Sequence, residues 1–155
     1  MPFSPSSSGQ KLARLLGAFA LLWAGLIIGV SFVASSARFL APDLSLPIAL
    51  QIGVVTFGVL QKINWGALLI SALLAWLSGT RTAKGLWLLL LGMELFLDSL
   101  VLPVLSARAA LYMDSTPLPP GTWHHAAYGI TEVARVLVLL FWAFLCLRSR
   151  RESAP

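Results

Sequence analysis

The sequence predicts an all-α fold: an integral membrane four-helix bundle with an additional amphipathic or re-entrant helix between spans 1 and 2. Three observations carry that prediction. The chain is 58% hydrophobic and 11% charged, against roughly 45–50% apolar and 25% charged residues in ordinary soluble domains. Its apolar residues gather into runs close to the roughly 20 residues that a helix needs to cross a bilayer. Its basic residues flank those runs, as membrane topology requires. They do not form the basic stripe with interleaved aromatics that marks a nucleic-acid surface, so the net charge of +5 points to the lipid bilayer as partner and to no nucleic acid. A single cysteine, Cys146, allows neither an internal disulfide nor a cysteine-based metal site.

Residues 1–10 are rich in Ser, Pro and Gly and lack an apolar period, so they read as a disordered tail. Residues 11–148 read as one transmembrane domain with spans at about 13–36, 62–79, 85–106 and 124–147, and 149–155 as a basic cytoplasmic tail. The first run is longer than a signal-peptide core and is expected to be retained, although Ala34-Ser35-Ser36-Ala37 is small enough to resemble a cleavage site. Gly25 and Gly29 form a GxxxG spacing, which lets another helix approach closely.

Residues 38–64 are ambiguous. Pro42, Asp43, Ser45 and Pro47 mark a break and a helix start, since Ser or Asp can cap free amides and proline suits a first turn. Gln51, Thr56, Gln61 and Lys62 then interrupt an apolar stretch, which fits a helix lying in the interface or re-entering the bundle. The polar loop 79–84 leads into the third span, where Pro103 is expected to free the carbonyl of Ser99 and bend the helix near Asp98. Residues 107–123 hold Pro117, Pro119, Pro120 and Gly121 and read as a loop, with Thr122 as cap of the last helix. Trp65 and Trp123 are expected at one membrane boundary, and Trp76, Trp87 and Trp142 at or near the other.

Charge sets the orientation. With both termini cytoplasmic, the inner side holds Lys11, Arg14, Arg81, Lys84, Arg148, Arg150 and Arg151, and the outer side Arg38, Lys62 and Arg108. Seven against three agrees with the positive-inside rule and predicts a bacterial inner membrane protein.

The chemistry resides in charges placed where lipid would reject them. Glu94 and Asp98 stand mid-run at i, i+4, about 40° apart on a helix, and one acid at mid-depth costs on the order of 2.5–3.5 kcal/mol. Both are therefore expected to face the bundle. The last span carries His125, Tyr128, Glu132 and Arg135 at spacings of 3, 4 and 3, which line one side. Counting residues from each end puts Glu94 level with Arg135 and Asp98 level with Glu132, so Arg135 is expected to pair with Glu94 or Glu132. Three acids against one arginine leave carboxyls with no cation, and in a dry site one of them would hold a proton.

The residues leave three readings open: structural glue, a site for a proton, cation or polar headgroup, and a catalytic site. No catalytic residue and no metal site are assigned, whether the chain is an enzyme is left open, and the cofactor is unspecified. His125 is a possible ligand, including an axial one to haem, whereas His124 and His125 point about 100° apart and do not chelate one ion together. There is no HExxH, CxxC, GxSxG or phosphate loop, so hydrolase and nucleotide chemistry lack support.

Trp23-Ala24-Gly25 leading to Phe32-Val33-Ala34 and Arg38-Phe39-Leu40-Ala41-Pro42, the following piece with Phe57, and a last helix with His125, Tyr128, Glu132 and a basic Arg135 resemble the transmembrane protein 205-like family. Lysine is more usual at the position of Arg135. The resemblance implies a small four-span protein; its animal relatives are linked to tolerance of platinum drugs and to secretion, which implies a connection to export or metal stress. A weaker likeness is to the copper-resistance D type of membrane protein, although the additional His and Met residues that copper handling calls for are missing. The expectation is thus a transport-related or accessory protein whose core, Glu94, Asp98, Glu132, Arg135 and Tyr128, binds a proton, cation or headgroup. The alternatives are a redox, haem- or copper-handling or lipid-modifying protein using His125, and a structural subunit, in a homo-oligomer or larger membrane complex, docked along Gly25 and Gly29.

Overall fold

A computed structural model describes residues 7–113, 121 and 123–148. Among them no strand occurs, and four helical rods, Gly9–Leu40, Leu46–Ser78, Arg81–Met113 and His124–Arg148, are long and apolar enough to cross a membrane. The tail at 1–6, the proline loop at 114–120, the cap at Thr122 and the basic tail at 149–155 lie outside the described residues.

The first rod is α1 (Ser7–Ile27), a π-helix (Ile28–Ala34), the single turn α2 (Ser35–Ala37) and a 3-10 turn (Arg38–Leu40). Helix therefore starts inside the stretch read as tail. The amide of Ser35 bonds the carbonyl of Val30, five residues back, and its hydroxyl bonds the same carbonyl at 3.0 Å. Two donors on one oxygen favour the wider π turn. The rod ends where Ala41 turns extended, the conformation a residue before proline prefers.

The second rod, α3, runs unbroken from Leu46 to Ser78, which replaces the separate helix expected at 43–62. Pro47 is in its first turn, where a missing amide costs nothing, and no proline follows before Gly79, whose φ of 69° ends the helix. Isolated Gln, Thr and Lys residues do not stop a helix that its neighbours support. Trp65 consequently lies within α3 and packs on the core.

Thr80 opens the third rod by accepting a hydrogen bond from the amide of Ala83 at 3.3 Å. The rod is α4 (Arg81–Phe96), a π-helix (Leu97–Val101) and α5 (Leu102–Met113). Pro103 cannot bond the carbonyl of Ser99, and the amide of Leu102 instead bonds Leu97 five residues back. The widened turn accommodates the proline ring without ending the helix. Helix thus continues through 107–113, into the segment read as loop. The last rod, α6, is His124–Arg148.

α1 packs beside α6 and α3, and α4 beside α3 and α6, so the rods form a square of antiparallel neighbours. Buried positions advance by fours and threes: Leu16, Ala20, Trp23 and Ile27 on α1, Leu60, Asn64, Ala67, Ser71 and Leu74 on α3, and Tyr128, Glu132, Arg135, Leu139 and Trp142 on α6. That step keeps one seam facing its partners. In lipid, helices associate through close packing rather than expulsion of water. Buried Ala24, Ala67, Ala75 and Ala143 supply the small surfaces this needs. A close approach occurs at Gly17, where a Cβ would lie 3.1 Å from Cβ of Cys146 on α6.

Candidate functional site

All four rods contribute polar side chains to one level of the interior. Arg135 Nη1 donates to Glu132 Oε1 at 2.8 Å, and Nη2 lies 2.6 Å from Glu94 Oε2. Glu94, Glu132 and Arg135 are each 1% exposed or less, so both ion pairs are shielded from lipid and water alike. The two acids are not held equally. Glu132 accepts from Arg135 on one oxygen and from Ser31 Oγ on the other at 3.3 Å. Glu94 meets the guanidinium closely but off the N–H axis, so neither of its oxygens has an aligned hydrogen bond. Charge attraction remains at that distance, while the directional part of the bond is missing.

Around this centre, Trp23 Nε1 donates to Asn64 Oδ1 at 2.9 Å and its ring lies beneath the Arg135 guanidinium at 5.9 Å. Trp87 Nε1 donates to the carbonyl of Leu68 at 2.9 Å. Each neighbouring pair of rods therefore shares a polar contact: α1 with α3 through Trp23, α3 with α4 through Trp87, α4 with α6 through Arg135, and the first rod with α6 through Ser31.

Ser31 Oγ is also 3.4 Å from Tyr128 Oη. Since the serine hydrogen goes to Glu132, the tyrosine must donate its own to Ser31. A chain of hydrogen bonds then runs Tyr128, Ser31, Glu132, Arg135. Tyr128, packed edge-on against Phe57 at 5.2 Å, forms part of the wall of a cavity of about 790 Å³ between α3 and α5. The buried cluster is thus one tyrosine away from an open chamber.

The structure brings Glu94, Glu132, Arg135 and Tyr128 together and separates Asp98 from them. Asp98 is exposed and lines the cavity. The seam of the third rod steps by three from Glu94 to Leu97 and by four to Val101, so the residue at i+4 stands beside the seam instead of on it. His125 is exposed and lines the same cavity. His124 stacks on Trp123 with centroids 4.2 Å apart. Among the described residues, no three His, Cys, Asp or Glu side chains lie together as a metal site would need. Gly25 and Gly29 are exposed on the outer side of the first rod, with nothing within 4 Å of where a Cβ would be; among the described residues they pack against no other helix.

Sequence reasoning missed Ser31, a lone serine in an apolar run, and gave Asn64 no role. It gave Arg38 and Lys62 no place in a site. The signal for Ser31 was its place one helical level from Glu132 on an adjacent rod, which needs the pairing of rods to be known.

Comparisons with family models, with curated proteins and with solved structures find no match. The class is therefore set by the molecule itself: an all-α chain with four helices able to span a membrane and an arginine–carboxylate cluster inside.

Proposed function

We propose that the chain is a small transport-related or accessory protein of the bacterial inner membrane whose buried Glu94–Arg135–Glu132 cluster holds one exchangeable proton. The observation that carries this reading is a charge count. Two carboxyls share one guanidinium in full burial, and an uncompensated charge in such surroundings costs several kcal/mol. One proton makes the cluster neutral. Glu132 has a donor on each oxygen and suits the ionised form, whereas Glu94, with no aligned donor, suits the protonated one. Ser31 and Tyr128 give the proton a route toward the cavity.

Both termini are cytoplasmic in this reading, by the excess of Lys and Arg at that end. A helix of 33 residues is about 50 Å long, well beyond a hydrocarbon core of about 30 Å. The first third of α3 then lies in the outer interface, which retains the interfacial character expected of that stretch. Asp98 and the cavity come near the headgroups. The connection to export implied by the resemblance to the transmembrane protein 205-like family is compatible with such a core.

Infrared spectroscopy of the purified protein tests the proton directly. A protonated carboxyl gives a carbonyl band distinct from amide and carboxylate bands; that band should shift in D₂O and vanish in Glu94→Gln. A spectrum at neutral pH with no such band, or a band that Glu94→Gln leaves in place, overturns the assignment. A band that stays unshifted in D₂O makes the cluster a static strut.

A further inference from the structure

We propose that the cavity between α3 and α5 binds an anionic amphiphile: an acyl chain ending in a phosphate or carboxylate. Its size, about 790 Å³, falls within the range of sites that enclose a small molecule, roughly 300–1,000 Å³. Leu50, Val54, Phe57, Leu102 and Leu105 make the wall apolar, and Arg38, Lys62 and Arg108 stand in it against one acid, Asp98. An apolar chamber with a cationic lining complements a chain with an anionic end, because an arginine or lysine beside an apolar wall pairs the charge of the headgroup while the wall takes its acyl chain.

Arg38 is the side chain that makes this specific. Among the described residues it has no ion pair, and its Nε is buried without a hydrogen-bond partner. It is nevertheless held in place. The guanidinium lies over the rings of Phe39 and Phe57, at 4.9 and 5.7 Å, and against Gly53, where any Cβ would collide with it. Arginine normally finds a carboxylate or phosphate when partly desolvated. Here packing positions it, with its Nε unused, on the wall of a chamber that has room for an acceptor. Gln61 Nε2, also lining the cavity, is a second buried donor without a partner. The site stands apart from the proton cluster: it requires no charge on Glu94, and the infrared test above does not read it.

Native mass spectrometry of the detergent-solubilised full chain tests the proposal, with phosphatidylglycerol, phosphatidylcholine of the same acyl chains, and palmitate as probes. The expected result is one phosphatidylglycerol or one palmitate retained per chain and no phosphatidylcholine. Retention of phosphatidylglycerol alone identifies a bilayer source, and of palmitate alone a soluble one; each supports the site. Arg38→Gln should weaken retention about tenfold, as loss of a charged hydrogen bond does. Gly58→Phe, which projects from the lining into open space, should abolish it with every charge intact. Equal retention of phosphatidylcholine, no retained probe, or full retention in either variant overturns the proposal. Matching unfolding temperatures establish that both variants are folded, and Lys62→Gln replaces Arg38→Gln if the latter is not.

Discussion

Removing the Arg135 side chain would leave Glu94 and Glu132 facing one another in the interior without a cation. Breaking a buried pair in this way costs about 3–5 kcal/mol, so Arg135→Leu should lower the thermal unfolding temperature in detergent more than Glu94→Gln does. Adding Glu94→Gln to Arg135→Leu should recover part of the loss, and a double variant no better than the single one would show that the acids do not feel the arginine. Trp23 offers a second test. Trp23→Phe keeps most of the ring but leaves Asn64 Oδ1, buried at 1% exposure, without its donor, at a cost of about 1–3 kcal/mol. In a double-mutant cycle with Asn64→Leu the two losses should not add. Additivity would mean that the 2.9 Å contact contributes nothing.

Helices in this bundle are joined where small residues let backbones close and polar groups find partners across the gap. Gly17 sits at such a point, within van der Waals reach of Cys146 and Leu147 on α6. Gly17→Val should push α1 off α6 and cost about 1–3 kcal/mol, as overpacking does. Gly25→Ala, on the outer side, should change the stability of the isolated chain by no more than about 0.5 kcal/mol. Unfolding curves of the two variants in detergent compare them; equal losses would contradict the packing described. In the sequence, Gly25 and Gly29 carry the recognisable spacing and Gly17 none. The spacing records only that two glycines share a face, and which face meets a neighbour depends on the other helices. Asp98 illustrates the same limit. At i+4 from Glu94 it belongs by helical geometry to the same side, yet a seam that steps by three at that point leaves it outside.

At the scale of the molecule, the four rods place Arg38, Lys62 and Arg108 at the end where α5 and α6 meet the cavity, away from Lys11, Arg14, Arg81 and Arg148. Impermeant labels applied to intact cells should reach a cysteine introduced at Met113 in a Cys146→Ser background, and should not reach tags fused to either terminus. Labelling of one terminus but not the other would remove the four-span reading.

Sequence alone determined the all-helical class, four apolar runs, and the alignment of Tyr128, Glu132 and Arg135 on one face of the last helix, because composition, run length and helical period are properties of a single segment. Only the tertiary structure decided that Asp98 stands outside the cluster, that Ser31 links Glu132 to Tyr128, that residues 46–78 form one helix, and that Arg38 lines a chamber with its Nε unpartnered. Each of these depends on the distance between side chains far apart in the chain, which is set by how the rods pair and where a π turn shifts their register.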